Sequence, residues 1–317
     1  MKAVLVREPG GFENTRIDDV QVPKGDMLIR VKYAGLNPVD INTIRGQTNY
    51  RIEPYPHIPG AEFVGTVEER GKSKIFDEGD RVLVYPRLFD GTCDHCISGR
   101  EEICRRGGVI GVASNGGFAE FYATDEKHLF QIPDELDFLD AVSLPVGGLT
   151  AYHALKAANL ERKERVLVVG ASGNTGQYGV MLAKAMGADV YYISRKSWIK
   201  KLGGKPWSGE TVDVLVNSLG SGFWEKFMNY LDTGGRLVTF GTLTGTEGVL
   251  NIAFLYTGER KIIGSTGGTP RELSELIQLV VRKKLKSKLW KVYPVDEYSR
   301  AIANYDKRDG RIVLRFS

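Results

Sequence analysis

The chain has few cysteines and no long apolar run. Three cysteines occur among 317 residues, too few for a disulfide framework in a chain of this size. No apolar stretch approaches the roughly 18 residues that a membrane-spanning helix needs. The segment from Met1 to Val6 has the composition of a strand rather than of a signal peptide. We therefore expect a cytoplasmic protein without a membrane partner.

The chain also lacks a strong charge of either sign. Its formal net charge is +4, and its basic residues are scattered apart from the run Arg282 to Lys284. This excludes an electrostatic case for a nucleic-acid partner. The 42% hydrophobic and 26% charged residues are typical of globular proteins, and the length favours two domains.

One stretch joins a strand, a glycine-rich turn and the start of a helix. Val166 to Val169 form an aliphatic run typical of a buried parallel strand. Gly170, Gly173 and Gly176 follow at intervals of three, and Ala171 replaces the first glycine of the usual G-x-G-x-x-G pattern. Backbone N–H groups and the helix dipole make such a helix start an anion site. We therefore predict that this turn binds the phosphates of a dinucleotide.

The end of the next strand indicates which dinucleotide. An NAD site places an acidic residue there to bind the ribose 2′-hydroxyl. After the strand that starts at Asp189, this chain has Ser194, Arg195 and Lys196 instead. A hydroxyl and two cations bind a 2′-phosphate, which a carboxylate would repel. We predict NADPH rather than NADH.

Two regions with different periodicities follow from the rest of the pattern. Short β-rich segments separated by Gly, Pro and Asp predict strands in the first region; these are Lys2–Arg7, Thr15–Val20, Asp26–Tyr33, Gly60–Glu68, Gly79–Tyr85 and Gly116–Ala123. From Val166 strands and helices alternate, which predicts an α/β fold with a doubly wound parallel sheet. A helix at Leu273–Val281 and a strand at Gly310–Phe316 close the chain, and that strand should return to the first domain. The expected domains are 1–146 with 270–317, and 147–269.

The whole chain resembles the medium-chain dehydrogenase/reductase superfamily. The motifs that carry the resemblance lie at residues 34–40, 58–65, 78–82 and 144–152. The resemblance implies a Rossmann domain, a β-rich GroES-like domain, and a homodimer or dimer of dimers. The segment between Lys196 and Val212 is shorter than in relatives, which carry a longer helix and another strand there.

The three cysteines lie within twelve residues, at Cys93, Cys96 and Cys104. In a reducing compartment this spacing favours metal over a disulfide, and tetrahedral zinc needs a fourth ligand. Zinc alcohol dehydrogenases place a further cysteine where this chain has Asp90, and an acid is an acceptable ligand. We expect one structural zinc on these four residues, with His95 as a competing donor.

The resemblance also implies that the catalytic zinc site is lost. The positions that hold its ligands in the zinc alcohol dehydrogenases are Asn37, Ala61 and Val146 here. Asp40 and Glu62, which stand beside the ligands in those enzymes, are kept. The histidines elsewhere in the chain do not restore the site; they are His57, His128 and His153.

The remaining pattern resembles the quinone oxidoreductase and enoyl reductase branch. There NADPH transfers a hydride to a carbon conjugated to a carbonyl, and hydrogen-bond donors replace the metal. The resemblance gives Asn37 a role in orienting the nicotinamide or donating to the carbonyl, and Asp40 a role in the local network. Tyr50 is the expected proton donor, with Tyr55 as a rival.

Further cofactor contacts are implied by motif, at the carboxyl ends of the parallel strands. They are Thr150, Ser172, Gly173, Asn174, Thr175, Gly176, Ser218, Gly241, Thr242, Ser265, Thr266 and Gly267. We expect an NADPH-dependent reductase of quinones or α,β-unsaturated carbonyls, acting on a small electron-poor acceptor. The alternatives are an alcohol dehydrogenase-like enzyme with a rearranged zinc site and a non-catalytic NADPH-binding protein.

Overall fold

The structure is a computed structural model that describes residues 1–48, 52 and 55–316. The chain divides into two compact units. One comprises Met1–Val146 and Thr269–Ser317, and the other comprises Gly147–Gly268.

The first part of the chain is rich in short strands. These are β1 (Lys2–Val6), β2 (Thr15–Asp19), β3 (Met27–Gly35), β4 (Phe63–Glu69), β5 (Arg81–Val84), β6 (Arg87–Leu88), β7 (Gly108–Val109), β8 (Phe121–Thr124) and β9 (Leu129–Gln131). Three helices interrupt them: α1 (Pro38–Arg45), α2 (Asp94–Ile97) and α3 (Phe138–Ala141). Helix α1 begins at Pro38, whose fixed φ suits the first helical position, and ends at Arg45, followed by the cap residue Gly46 in the left-handed region (φ 67°).

The second unit alternates helices with parallel strands. Its helices are α4 (Leu149–Ala157), α5 (Asn174–Ala185), α6 (Trp224–Met228) and α7 (Ile252–Thr257). Its strands are β10 (Arg165–Val169), β11 (Asp189–Ile193), β12 (Lys205–Pro206), β13 (Val212–Asn217), β14 (Leu231–Thr239) and β15 (Lys261–Gly264). They form one sheet in the order β12-β11-β10-β13-β14-β15, and each neighbouring pair is parallel. The predicted parallel α/β sheet is confirmed.

The end of the chain returns to the first unit. It forms α8 (Pro270–Lys283), β16 (Leu289–Pro294), α9 (Tyr298–Ala303) and β17 (Arg311–Arg315). The main sheet of this unit has the order β16-β17-β3-β4-β5-β9, and β8 also pairs with β3. Strand β17 is antiparallel to β3, with Val313 opposite Gly35. The final strand therefore joins the first domain as predicted.

Several elements were not predicted from the pattern, among them α1, α7, β16 and α9. The short segment after Lys196 keeps the additional strand of the relatives as β12, two residues long and paired with β11. A 3₁₀ turn at Ser197–Leu202 stands in place of the longer helix. In the described residues, no helix has the length and apolar composition needed to cross a membrane.

Candidate active site and metal centre

The glycine-rich turn joins β10 to the N-terminus of α5. Gly170, directly before Ala171, has φ +79°, a left-handed backbone conformation that favours glycine. At Gly176 a Cβ atom would lie 2.2 Å from the Gly170 carbonyl oxygen, so glycine is needed for the helix to approach the turn. Gly173 is the N-cap residue of α5, and a Cβ there would meet only the Gly170 oxygen, at 3.2 Å. The turn is therefore tight on the protein side and open beside Gly173, as a phosphate-binding backbone requires.

The other strands of this sheet end in polar or small residues along the same edge. Ser218 follows β13 and donates its hydroxyl to the Val169 carbonyl (2.7 Å). Gly241 follows β14, where a Cβ would lie 2.1 Å from the Ser218 carbonyl oxygen. The remaining predicted cofactor residues stand at the start of α5 (Ser172, Asn174, Thr175), near the start of α4 (Thr150), after β14 (Thr242) and after β15 (Ser265, Thr266, Gly267). Their contacts with a cofactor stay predictions.

The segment after β11 carries the predicted phosphate-binding residues. The Lys196 backbone N–H donates to the Ser194 hydroxyl (3.0 Å), so the chain turns sharply at this point. Arg195 lies between them and is exposed. The acidic residue of this strand is Asp189, at its opposite end, where it pairs with Lys205. The carboxyl end of β11 is therefore cationic.

The cysteine loop brings four potential metal ligands together. The Sγ atom of Cys93 lies 3.5 Å from that of Cys96 and 3.8 Å from that of Cys104. Ligand atoms of these cysteines and of Asp90 all lie within 4.8 Å of one another. Tetrahedral zinc with Zn–S bonds of about 2.3 Å separates its sulfurs by about 3.8 Å. The spacing and the donor set fit a structural zinc ion.

The protonation states in this loop also suit a metal site. Backbone N–H groups of Thr92 and Cys93, followed by Arg106, lower the pKa of Asp90. Backbone N–H groups of Cys96 and Arg105 lower the pKa of the Cys93 thiol to about 7. Burial raises the pKa of Cys96 to about 12, so its ligation needs the metal to displace a proton. Asp90 and Cys93 are thus more easily supplied in the ionised form than Cys96.

In the first unit, Asp40 forms hydrogen bonds with two of the positions that were compared with zinc ligands, Asn37 and Ala61. Its Oδ2 accepts a hydrogen bond from the Asn37 backbone N–H (2.8 Å), and its Oδ1 accepts one from the Ala61 backbone N–H (2.9 Å). Complete burial raises the pKa of Asp40 to about 7, although backbone N–H groups favour its carboxylate form. Asp40 therefore ties the start of α1 to the segment before β4.

Glu62 also forms hydrogen bonds with two of these positions, Asn37 and Val146. Its Oε2 accepts a hydrogen bond from the Asn37 side-chain Nδ2 (2.8 Å), and its Oε1 accepts one from the Val146 backbone N–H (3.0 Å). Arg311 pairs with Glu62 from the first residue of β17. The sequence pattern did not point to Arg311, because no local motif marks it.

Comparison with known proteins identifies the family. Residues 23–134 match the alcohol dehydrogenase GroES-like domain, and residues 148–282 match the zinc-binding dehydrogenase domain. An NAD-dependent alcohol dehydrogenase of Sulfolobus acidocaldarius is 30% identical over 99% of both chains. The chain belongs to the medium-chain dehydrogenase/reductase superfamily.

Two further relatives of this superfamily bear on the chemistry. An acryloyl-coenzyme A reductase of Metallosphaera sedula is 29% identical over 90% of both chains. The cobalt- and zinc-bound thermostable alcohol dehydrogenase of Pyrobaculum aerophilum has a TM-score of 0.93 and 35% identity, covering 100% of this chain and 99% of its own. The protein is an oxidoreductase of the medium-chain dehydrogenase/reductase type, and its cysteine cluster could bind zinc.

The three positions compared with the catalytic-zinc ligands of the zinc alcohol dehydrogenases carry other residues in this chain. At the three ligand positions, Ala61 and Val146 offer no donor side chain. Asn37 is 1% exposed and commits its Nδ2 group to Glu62 and to the Gly35 carbonyl (3.3 Å). Within residues 1–48, 52 and 55–316, the cysteine loop is the one cluster of at least three Cys, His, Asp or Glu residues that could share a metal.

The remaining candidate residues are the two predicted proton donors and three histidines. Tyr50 lies outside the described residues. Its rival Tyr55 is described, and burial raises its pKa. His57 and His128 are both buried, and burial lowers the pKa of each. His153 lies on α4 in the second unit. The three histidines therefore stand on separate elements.

Proposed function

We propose that the protein is an NADPH-dependent reductase of α,β-unsaturated carbonyl compounds or quinones that acts without a catalytic zinc. The observation that carries the proposal is the chemistry of three positions, Asn37, Ala61 and Val146. Instead of metal-binding side chains, they present groups that Asp40 and Glu62 already hold by hydrogen bonds. The similarity to an acryloyl-coenzyme A reductase supports the enoyl class of acceptor.

The choice of acceptor follows from what the side chains can stabilise. When bound, the reduced nicotinamide supplies a hydride. A saturated ketone needs a Lewis acid or strong donors to stabilise the alkoxide that forms. A conjugated acceptor spreads the developing charge over an enolate, so neutral hydrogen-bond donors suffice. The absence of metal-binding side chains at Asn37, Ala61 and Val146 therefore favours conjugated acceptors.

The proton that follows the hydride has two candidate routes in the first unit. Asp40 is fully buried and both of its oxygens accept backbone hydrogen bonds, so it serves to hold the segment around Asn37. Tyr50 is the proposed acid, with Tyr55 as the alternative. Asn37 is proposed to act on the nicotinamide or carbonyl only if one of its Nδ2 hydrogen bonds is exchanged.

Three further properties belong to the proposal. Ser194, Arg195 and Lys196 bind the 2′-phosphate of NADPH, and the glycine-rich turn binds its pyrophosphate. Asp90 and the three cysteines hold one structural zinc, which stabilises the loop without taking part in the reaction. The edge strand β15 pairs with a second copy of the chain to form a homodimer or, when two such dimers associate, a dimer of dimers.

The test is an acceptor panel with NADPH. We expect turnover with 2-cyclohexen-1-one, crotonyl-coenzyme A or 1,4-benzoquinone, with a kcat/KM at least about a hundredfold above that for cyclohexanone, because only the conjugated acceptors dispense with a Lewis acid. Equal or better turnover of cyclohexanone would reject the proposal. Absence of turnover with all acceptors, together with tight NADPH binding, would favour a non-catalytic nucleotide-binding protein.

A second candidate is an alcohol dehydrogenase with a rearranged zinc site. It is favoured by the 30% identity to an NAD-dependent alcohol dehydrogenase over almost the whole chain. This function requires a second zinc ion bound by residues other than Asn37, Ala61 and Val146. Two zinc ions per chain, combined with oxidation of simple alcohols, would establish it.

A further inference from the structure

Arg311 is a buried cation whose partner comes from a distant part of the sequence. Its side chain is the largest among the fully buried ones, at 1% exposure, and Glu62 is 0% exposed. The Arg311 Nη2 group donates to Glu62 Oε2 across 249 positions of the sequence. A buried ion pair of this kind is costly to desolvate, so its presence alone is weak evidence for a stabilising role.

Both oxygens of Glu62 are committed as hydrogen-bond acceptors. Oε2 accepts from the Asn37 Nδ2 group and from Arg311, and Oε1 accepts from the Val146 N–H. A protonated carboxyl would carry a hydrogen on one oxygen and would turn that oxygen into a donor. Asn37 and Val146 both present donors, so the neutral form cannot satisfy them equally.

Neighbouring backbone is shaped around the pair. A Cβ atom at Gly35 would lie 2.4 Å from Glu62 Oε2 and 2.7 Å from Arg311 Nη2. Gly35 ends β3, and its partner in β17 is Val313, two residues after Arg311. The register of these two strands therefore delivers the guanidinium to Glu62, and glycine leaves the space that the pair fills.

We propose that Arg311 is a positioning residue for the reduction: its buried ion pair anchors the side chain of Glu62, and Glu62 fixes the side-chain amide of Asn37 and the backbone N–H of Val146. A salt bridge between β17 and the segment before β4 thus holds two of the positions that bind metal in the zinc alcohol dehydrogenases. The kinetic part of this inference rests on the proposed reductase function. The part that concerns the orientation of Asn37 does not.

The experiment compares Arg311→Met with Arg315→Met, which removes an exposed arginine from the same strand. Protein labelled with ¹⁵N-asparagine reports the Asn37 side-chain amide, assigned by its loss in Asn37→Ser. In Arg311→Met we expect this signal to shift and its hydrogen exchange to accelerate at least about tenfold. We expect kcat with the best acceptor to fall at least about tenfold, because small misplacements cost rate, while the KM for NADPH changes less than about threefold. Arg315→Met should match the wild type in each measurement.

A folded Arg311→Met protein with an unchanged Asn37 signal, or with a displaced signal and unchanged kcat, would overturn the inference. So would the same losses in Arg315→Met. If Arg311→Met does not fold, Gly35→Ala decides, since its methyl group enters the space between Glu62 and Arg311. A shifted Asn37 signal with lower kcat supports the inference, and wild-type behaviour rejects it. Absence of turnover in the wild type rejects the reductase function alone, and the Asn37 signal still tests the role of Arg311.

Discussion

At the scale of single residues, Asp40 and Glu62 both link separate segments of the chain by accepting hydrogen bonds, each from different partners. Asp40 binds backbone N–H groups of Asn37 and Ala61, and Glu62 binds Asn37, Val146 and Arg311. Buried carboxylates are stable when hydrogen bonds or a cation compensate for the lost hydration. The two acids thus organise the segments that contain Asn37, Ala61 and Val146.

Arg195 provides a test of cofactor choice. Replacing Arg195 by Asp should raise the KM for NADPH roughly tenfold to a hundredfold, because a charge-assisted hydrogen bond to the 2′-phosphate is lost and a repulsive charge is added. The KM for NADH should change by less than about threefold, because NADH lacks that phosphate. Steady-state kinetics with both cofactors measure the difference. The control is Arg162→Asp, an equal change of charge before the amino end of β10. Equal losses for both cofactors in Arg195→Asp would refute the assignment.

His128 makes stability depend on pH. Burial, and then the adjacent Lys127, lowers its pKa to about 4, whereas an unfolded histidine titrates near 6.5. The unfolded chain therefore binds the proton first, so the free energy of unfolding should fall as the pH drops from about 6.5 to about 4, by about 3 kcal/mol at most. Urea unfolding at several pH values measures this. His128→Phe, which places an apolar ring beside Phe89, should flatten the dependence, and an unchanged slope would show that other groups cause it.

At the scale of elements, the edge strand β15 and the segment before it stand out. In the described sheet β15 pairs with β14 alone. Ile252 and Tyr256 lie four residues apart on α7 and are each 69% exposed, and Val249 just before the helix is 72% exposed. An edge strand preceded in the sequence by exposed apolar side chains is a natural site for association.

We predict that this edge forms the dimer. The wild type should sediment with twice the mass of one chain, and the double substitution Ile252→Asp with Tyr256→Asp should shift it towards the monomer, since charges oppose burial of the patch. The matched control is Ile75→Asp, at an apolar side chain in the other unit with 72% exposure. A wild-type monomer, or equal dissociation in the control, would dismiss this interface.

The contrast between the glycine-rich turn and Arg311 shows what sequence reasoning can reach. The turn could be predicted because strand, glycines and helix are contiguous, and Gly170 and Gly176 are fixed by local geometry. The strands β10, β11, β13, β14 and β15 could likewise be predicted from the sequence, whereas the two-residue strand β12 could not. Arg311 could not be predicted, because its role arises only when β17 pairs with β3. The orientation of Asn37, with its Nδ2 group directed to Glu62, also needed the three-dimensional contacts.

At the scale of the whole molecule, family and chemistry are separate conclusions. The two domain matches and the relatives define a medium-chain dehydrogenase/reductase protein. They include both alcohol dehydrogenases and an acryloyl-coenzyme A reductase, so the family alone leaves the reaction open. The side chains at Asn37, Ala61 and Val146 are what favour a reductase that needs no metal for the reaction.

The most direct test of this account is the metal content of the active enzyme before and after chelation. We predict one zinc ion per chain, bound by Asp90, Cys93, Cys96 and Cys104. Its removal should lower the melting temperature and leave kcat for 2-cyclohexen-1-one within about twofold at a temperature where the protein stays folded. Two zinc ions per chain, with turnover that disappears on chelation and returns when zinc is restored, would contradict it.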